Sequence, residues 1–217
     1  MIDNNSVIIL GESIIDPSAQ ICSGVIIGKP YRKFLDGTQE EIDRTIIDKN
    51  TYVGYYSVIG TGSRISTNVI IDDHCIIESR VIVGQKSLIT YRSQLCNDVI
   101  IGEECIVGGF IGERTQVGSG CRIFGSIVHL HHNPLLGWDD DDATEGSSII
   151  KDRAFIGFGA KVVGNVTIGC RAYICAGAIV TMDVPEAHIA SGTNQIVHFS
   201  EWKGELKDSP FFINNGG

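Results

Sequence analysis

No stretch of 18 apolar residues occurs in the 217-residue chain, so no membrane-spanning helix is expected. Met1–Gly11 lacks a basic region ahead of its apolar run, so no secretion signal is expected there either. Basic residues are scarce, with 17 Lys and Arg against 26 Asp and Glu. The resulting charge of −9 argues against nucleic acid or an anionic membrane surface as the main partner. No two of the seven cysteines form a C-x-x-C pair, and seven is odd. Packing therefore explains them better than disulfides or zinc, and they suit a reducing cytoplasm. The length fits one domain.

What the chain does have is a period of six. An Ile, Leu or Val recurs at six-residue steps from Ile9 to Ile27, from Ile47 to Val107, from Ile111 to Ile123, and from Ile150 to Val180. Neither a helical face nor an ordinary strand meander has that period, so it reads as an internal repeat. The fifth residue of each period is small, from Ser13 and Ala19 through Cys105 and Ala160 to Val184, and only Ile127 is larger than Val. First and fifth residues of a short extended segment share a face. One large and one small inward residue per segment would fill a narrow prism. Glycine is common at the second position (Gly28, Gly54, Gly84, Gly102, Gly157), where the backbone can approach its neighbour closely. The expected fold is an all-β parallel solenoid in which each coil pairs with those above and below. Cys75, Cys105 and Cys121 fall at the small inward position.

This pattern resembles the hexapeptide-repeat acyltransferases over roughly residues 7–185. The resemblance implies a left-handed parallel β-helix with three hexapeptides per coil, usually assembled as a homotrimer. The helix is expected over 1–185, with excursion loops at about 29–46 and 129–149 and a C-terminal extension at 186–217.

Loops on a rigid scaffold are disproportionately functional, and excursions this long are uncommon without a reason. The second contains three of the six histidines, Trp138, and the carboxylates Asp139 to Asp142 and Glu145. Acyl transfer needs a base for the attacking amine or hydroxyl, and histidine titrates in the right range. His129 and His131 have the same strand parity and are the candidate catalytic residues; His132 would point the other way. His132, Asn133, Trp138, Asp139 and Glu145 are candidates for binding the acceptor. The acidic run either holds a cationic group, such as an amino sugar, or is simply solvated. Trp138 either stacks on a sugar ring or docks on a neighbouring subunit.

Residues 149–185 resemble the segment with which sugar- and antibiotic-modifying acetyltransferases of that family bind acetyl-CoA, closing with Ala176-Gly177-Ala178-Ile179-Val180-Thr181. The resemblance implies pantetheine contacts at Gly159, Ala160, Gly177, Ala178 and Thr181; Lys161, Arg171 or Lys203 could meet the CoA phosphates, since cations pair favourably with them. The chain departs from those enzymes at Phe155, where many have Trp, and at Gly192-Thr193-Asn194, where Gly-Asn-Pro is common. The implied activity is acetyl transfer from acetyl-CoA to an amino or hydroxyl group of a sugar-like acceptor, nucleotide-linked or aminoglycoside, without a covalent acyl-enzyme. Two alternatives stand beside it. One is a non-catalytic β-helix scaffold. The other is a γ-carbonic-anhydrase-like zinc enzyme, against which the histidine spacing argues, so no metal is expected.

Overall fold

The structure, a computed structural model, describes residues 6–31, 44–129 and 146–213. Three sheets form the walls of a prism, parallel throughout except where His188–Ser191 and Gln195–His198 pair antiparallel in the third. The first holds nine strands from Ile8–Ile9 to Ile179–Val180, and the second holds eight from Ser13–Ile15 to Thr167–Ile168. The third holds ten, from Gln20–Ile21 to Gln195–His198. The chain visits the sheets in rotation, and up to Ile179–Val180 each strand pairs with the one three strands later, as in Ile76↔Gln94 and Leu88↔Ile106. This is the parallel β-helix expected from the six-residue repeat, in the left-handed form that the family resemblance implies. No described helix is long and apolar enough to cross a membrane.

Strands of two residues survive because the ladder runs between coils. Backbone bonds such as Ile70 N–H to the Ser87 carbonyl (2.9 Å) and Ile82 N–H to the Val99 carbonyl (2.9 Å) recur along the axis. The large first-position residues fill the interior: Ile59, Ile77, Leu95 and Ile123 are fully buried. Small residues sit beside them at the corners, and the polar ones have partners. The Ser57 hydroxyl donates to the Asp72 carbonyl at 2.9 Å and accepts from the Cys75 N–H at 3.0 Å. Ser63 and Ser87 repeat the same bridge between coils. Buried hydroxyls are thus tolerated because each replaces a hydrogen bond to water.

The period shortens where the sequence pattern looked irregular. Ile127 pairs with Ile111 on one side and Val162 on the other, so it is a wall residue and not the oversized small residue it resembled. The step from Ile123 to Ile127 loses two residues, as does the step from Val107 to Ile111. Glycine stands at both tightened corners. Gly109 has φ +89°, and a Cβ there would collide with the Gly125 carbonyl. The register also runs past Val180. Val184 bridges to Ile168, and the strand His188–Ser191 pairs in parallel with Tyr173–Ile174. The C-terminal segment from residue 186 therefore opens within the coil stack. Its end folds back over the third sheet, where Phe155 and Tyr173 stack at 4.5 Å and Phe211 meets both edge-on.

All seven cysteines are free. Burial pushes the Cys75 thiol up from 9.0 to about 11, and burial with the charges of Glu78 and Glu113 pushes Cys96 up to about 12. Above pH 9 the unfolded chain releases these protons while the folded chain keeps them. Their contribution is therefore full below pH 9 and declines as pH rises toward about 11 to 12. Urea unfolding across that range should show falling stability, and Cys96→Ala should flatten the decline.

Candidate active site

Both excursions leave the prism at one edge, the corner where the chain passes from the first sheet to the second. The earlier departs after Ile26–Lys29 and returns at Thr45–Ile47; the later departs after Ser126–Val128 and returns at Ile149–Ile150. Five coil steps separate the two departure strands, so at the usual strand spacing the roots lie about 24 Å apart along the axis.

His129 is the residue immediately before the second excursion, and it is partly buried. Shortening at Ile127 places it at the turn, two residues past the wall residue, instead of in the wall. Its seat is Gly112 in the preceding coil. A Cβ on Gly112 would lie 3.4 Å from both the backbone N and the Nδ1 of His129. Gly112 thus lies directly beneath the ring, and a Cβ there would be in van der Waals contact with it. The far end of the excursion is tied to the same place, because the Ser147 hydroxyl donates to the Glu113 carbonyl at 2.9 Å. His131, His132, Asn133, Trp138, Asp139 and Glu145 lie outside the described residues.

The residues with an implied cofactor role fall in the last two coils of the first sheet, in three different environments. Gly159 and Gly177 occupy equivalent turns at the opposite edge of that sheet, each with φ +69°. A Cβ at either would meet nothing within 4 Å, so the backbone there is open to a ligand. Lys161 projects from the outer face, next to Ile179 in the adjoining strand. Thr181 lies just past that strand, its N–H donating to Asn194 Oδ1 at 2.8 Å and its hydroxyl accepting from Asn194 Nδ2 at 2.8 Å. Ala160 and Ala178, by contrast, are inside the prism, fully or almost fully buried. Only their main-chain atoms could reach a ligand. Of the two further cations considered for phosphate, Arg171 donates to Glu186 at 2.9 Å, and Lys203 lines a cavity of about 260 Å³ with Trp202, Gln195 and Val197.

The outer face of the first sheet thus has open turn glycines along one edge and His129 at the other. From Gly125 to His129 the chain advances four residues, about 13 Å at the rise of a strand. The remaining described histidines are elsewhere. His74 stacks on Tyr56 at 5.4 Å, while His188 and His198 face each other at 5.1 Å between the last two strands of the third sheet. Among the described residues no three His, Cys, Asp or Glu side chains gather as a metal-binding group.

No family model matches the chain. The serine acetyltransferase of Bacillus licheniformis is 34% identical over 86 residues, 40% of this chain and 37% of that protein. The bifunctional protein GlmU of Psychrobacter arcticus is 34% identical over 83 residues, 38% of this chain and 16% of that protein. The chain thus spans little more than a third of the serine acetyltransferase and a smaller share of GlmU. Among solved structures, a UDP-N-acetylglucosamine acyltransferase from Arabidopsis shares 14% identity over 88% of this chain and 71% of its own, with a TM-score of 0.48. The resemblance to hexapeptide-repeat acyltransferases is carried by sequence relatives as well as by the repeat.

Proposed function

We propose that this chain transfers an acyl group, acetyl in the first instance, from acyl-CoA to an amino or hydroxyl group of a sugar-like acceptor. The supporting observation is the placement of His129. It sits at the root of the long excursion and on a glycine seat, beside a sheet face whose far edge is open backbone at Gly159 and Gly177. The relatives at 34% identity, named as acetyltransferase and as GlmU, point the same way.

In this reading the CoA arm runs along the last coils of the first sheet, against Gly159 and Gly177 and past Lys161 and Thr181. His129 takes the proton from the acceptor as its nitrogen or oxygen attacks the thioester carbonyl. A new C–N or C–O bond forms, the C–S bond breaks, and CoA leaves as the thiol, taking up the proton that His129 removed from the acceptor. Backbone N–H groups of the coil stabilise the developing oxyanion. His131, His132, Asn133, Trp138, Asp139 and Glu145 would line the acceptor side. The free cysteines suit a cytoplasmic protein. A homotrimer is part of the same proposal. The outer face of the second sheet carries a ladder of exposed isoleucines, Ile14, Ile82, Ile100 and Ile149, which a subunit contact would cover.

The test is thiol release from acetyl-CoA over a panel of amino sugars, nucleotide sugars and simple hydroxyl acceptors. Turnover with at least one is expected; absence of both turnover and CoA binding would refute the reading. Gly177→Asn supplies a finer check, since asparagine tolerates positive φ and its side chain would occupy the open turn. A raised KM for acetyl-CoA with an unchanged melting temperature is expected.

A further inference from the structure

Arg114 lies in the coil that pairs with both roots of the second excursion. It lies between Phe110–Ile111 and Gln116–Val117, the strands that pair with those flanking the excursion, Ser126–Val128 and Ile149–Ile150. Two residues before it, Gly112 seats His129; one residue before it, the Glu113 carbonyl holds Ser147. Arg114 is therefore bracketed by both ends of the loop.

Among the described residues its side chain has no counterion. The Nε is buried and has no hydrogen-bond partner, and no ion pair joins the guanidinium to a described residue. Two described acids of the neighbouring turns, Asp98 and Glu113, are already engaged. Asp98, on the corner below, receives Arg80 bidentately at 2.6 and 2.8 Å. Glu113 accepts from Asn97 Nδ2 at 3.0 Å. A buried guanidinium nitrogen left unpaired costs free energy that an incoming anion would recover. The planar fork matches phosphate and carboxylate oxygens.

We propose that Arg114 binds an oxyanion, a phosphate or carboxylate, carried by the acceptor substrate. This rests on the acyltransferase reading for the word acceptor, but the oxyanion site itself does not. The acceptor is then a sugar phosphate, a nucleotide-linked sugar or a sugar acid, held by its charge so that its amine or hydroxyl reaches His129.

Melting of the full chain in inorganic phosphate, against sodium chloride of equal ionic strength, tests the site without activity. A saturable rise is expected for the wild type and for the control Arg92→Gln, and none for Arg114→Gln. Arg114→Lys keeps the charge and loses the fork, so its phosphate affinity should fall about tenfold, the loss of one charge-assisted bond. An equal rise in wild type and Arg114→Gln, or in neither, overturns the proposal. Should Arg114→Gln fail to fold, the lysine variant decides: an unweakened phosphate response overturns it. The source of the oxyanion is separated by titrating CoA. Unchanged CoA affinity in Arg114→Gln, with KM raised only for acceptors bearing phosphate or carboxylate, supports the acceptor; lost CoA affinity overturns that assignment. A phosphate response in a wild type that transfers no acyl group would sink the acyltransferase reading alone.

Discussion

Replacing His129 by alanine should lower turnover by about 10²–10⁴-fold, the usual contribution of a positioned general base, while CoA still binds. The basis is position. His129 is the last residue before the chain leaves the prism, at the edge of the sheet face that carries Lys161 and the open turns. Steady-state kinetics with saturating acetyl-CoA, together with a CoA titration, separate the two effects. The companion variant Gly112→Ala keeps the imidazole but moves it. Its Cβ would lie 3.0 Å from the Ile127 carbonyl and 3.4 Å from Nδ1, so the strand that leads into His129 must give by a few tenths of an ångström. Turnover should fall by less than in His129→Ala, with KM for acetyl-CoA unchanged, because small displacements of a reacting group cost rate before they cost binding. Full activity in both variants would remove His129 from the mechanism.

The walls of the prism were legible in the sequence because their cause is local. A large and a small inward residue recur on a fixed spacing, and the buried positions follow it from Ile21 to Val180. The two-residue slips were harder to place. At Val107–Ile111 the slip is visible because both residues are aliphatic and nothing else competes. At Ile123–Ile127 the only sign of the slip was Ile127, too large for the small position it would hold on a six-residue step; strand pairing shows that it is a wall residue. The same pairing puts His129 in the turn, two residues past the wall residue. Ala160 and Ala178 illustrate the opposite difficulty, since the repeat itself demands small residues where the resemblance implies cofactor contact. Arg114 was missed for a related reason. Turn positions with positive φ hold Arg80, Lys86, Arg92, Arg153 and Arg171 as well, so a charge there singles nothing out. Only the pairing of its neighbours, Arg80 with Asp98 and Asn97 with Glu113, leaves it distinct.

Ile101→Ala should destabilise the protein by about 2–5 kcal/mol, the range for truncating a buried aliphatic side chain to alanine. Ile101 is 1% exposed and lies in the middle of the second sheet, paired with Val83 below and Val117 above. Neither neighbour can collapse into the space, because each is held by its own coil's backbone ladder. A solenoid sums the stability of its repeats and the interfaces between them, so the weakened interface has a direction. Coils on both sides lose a partner, and a central defect divides the stack. The same change at Ile21 should cost less. That strand is the outermost of the third sheet among the described residues, paired only with Tyr52–Val53, so unfolding from it detaches one coil. Urea denaturation should therefore show a lower midpoint for Ile101→Ala, with the loss of Ile21→Ala confined to a small early transition. Amide exchange gives the independent reading: in Ile101→Ala, protection falls on both sides of residue 101, whereas in Ile21→Ala it falls only in the first described coils. Equal and global loss in the two variants would mean that the stack unfolds as one unit, and that the coils are coupled beyond nearest neighbours.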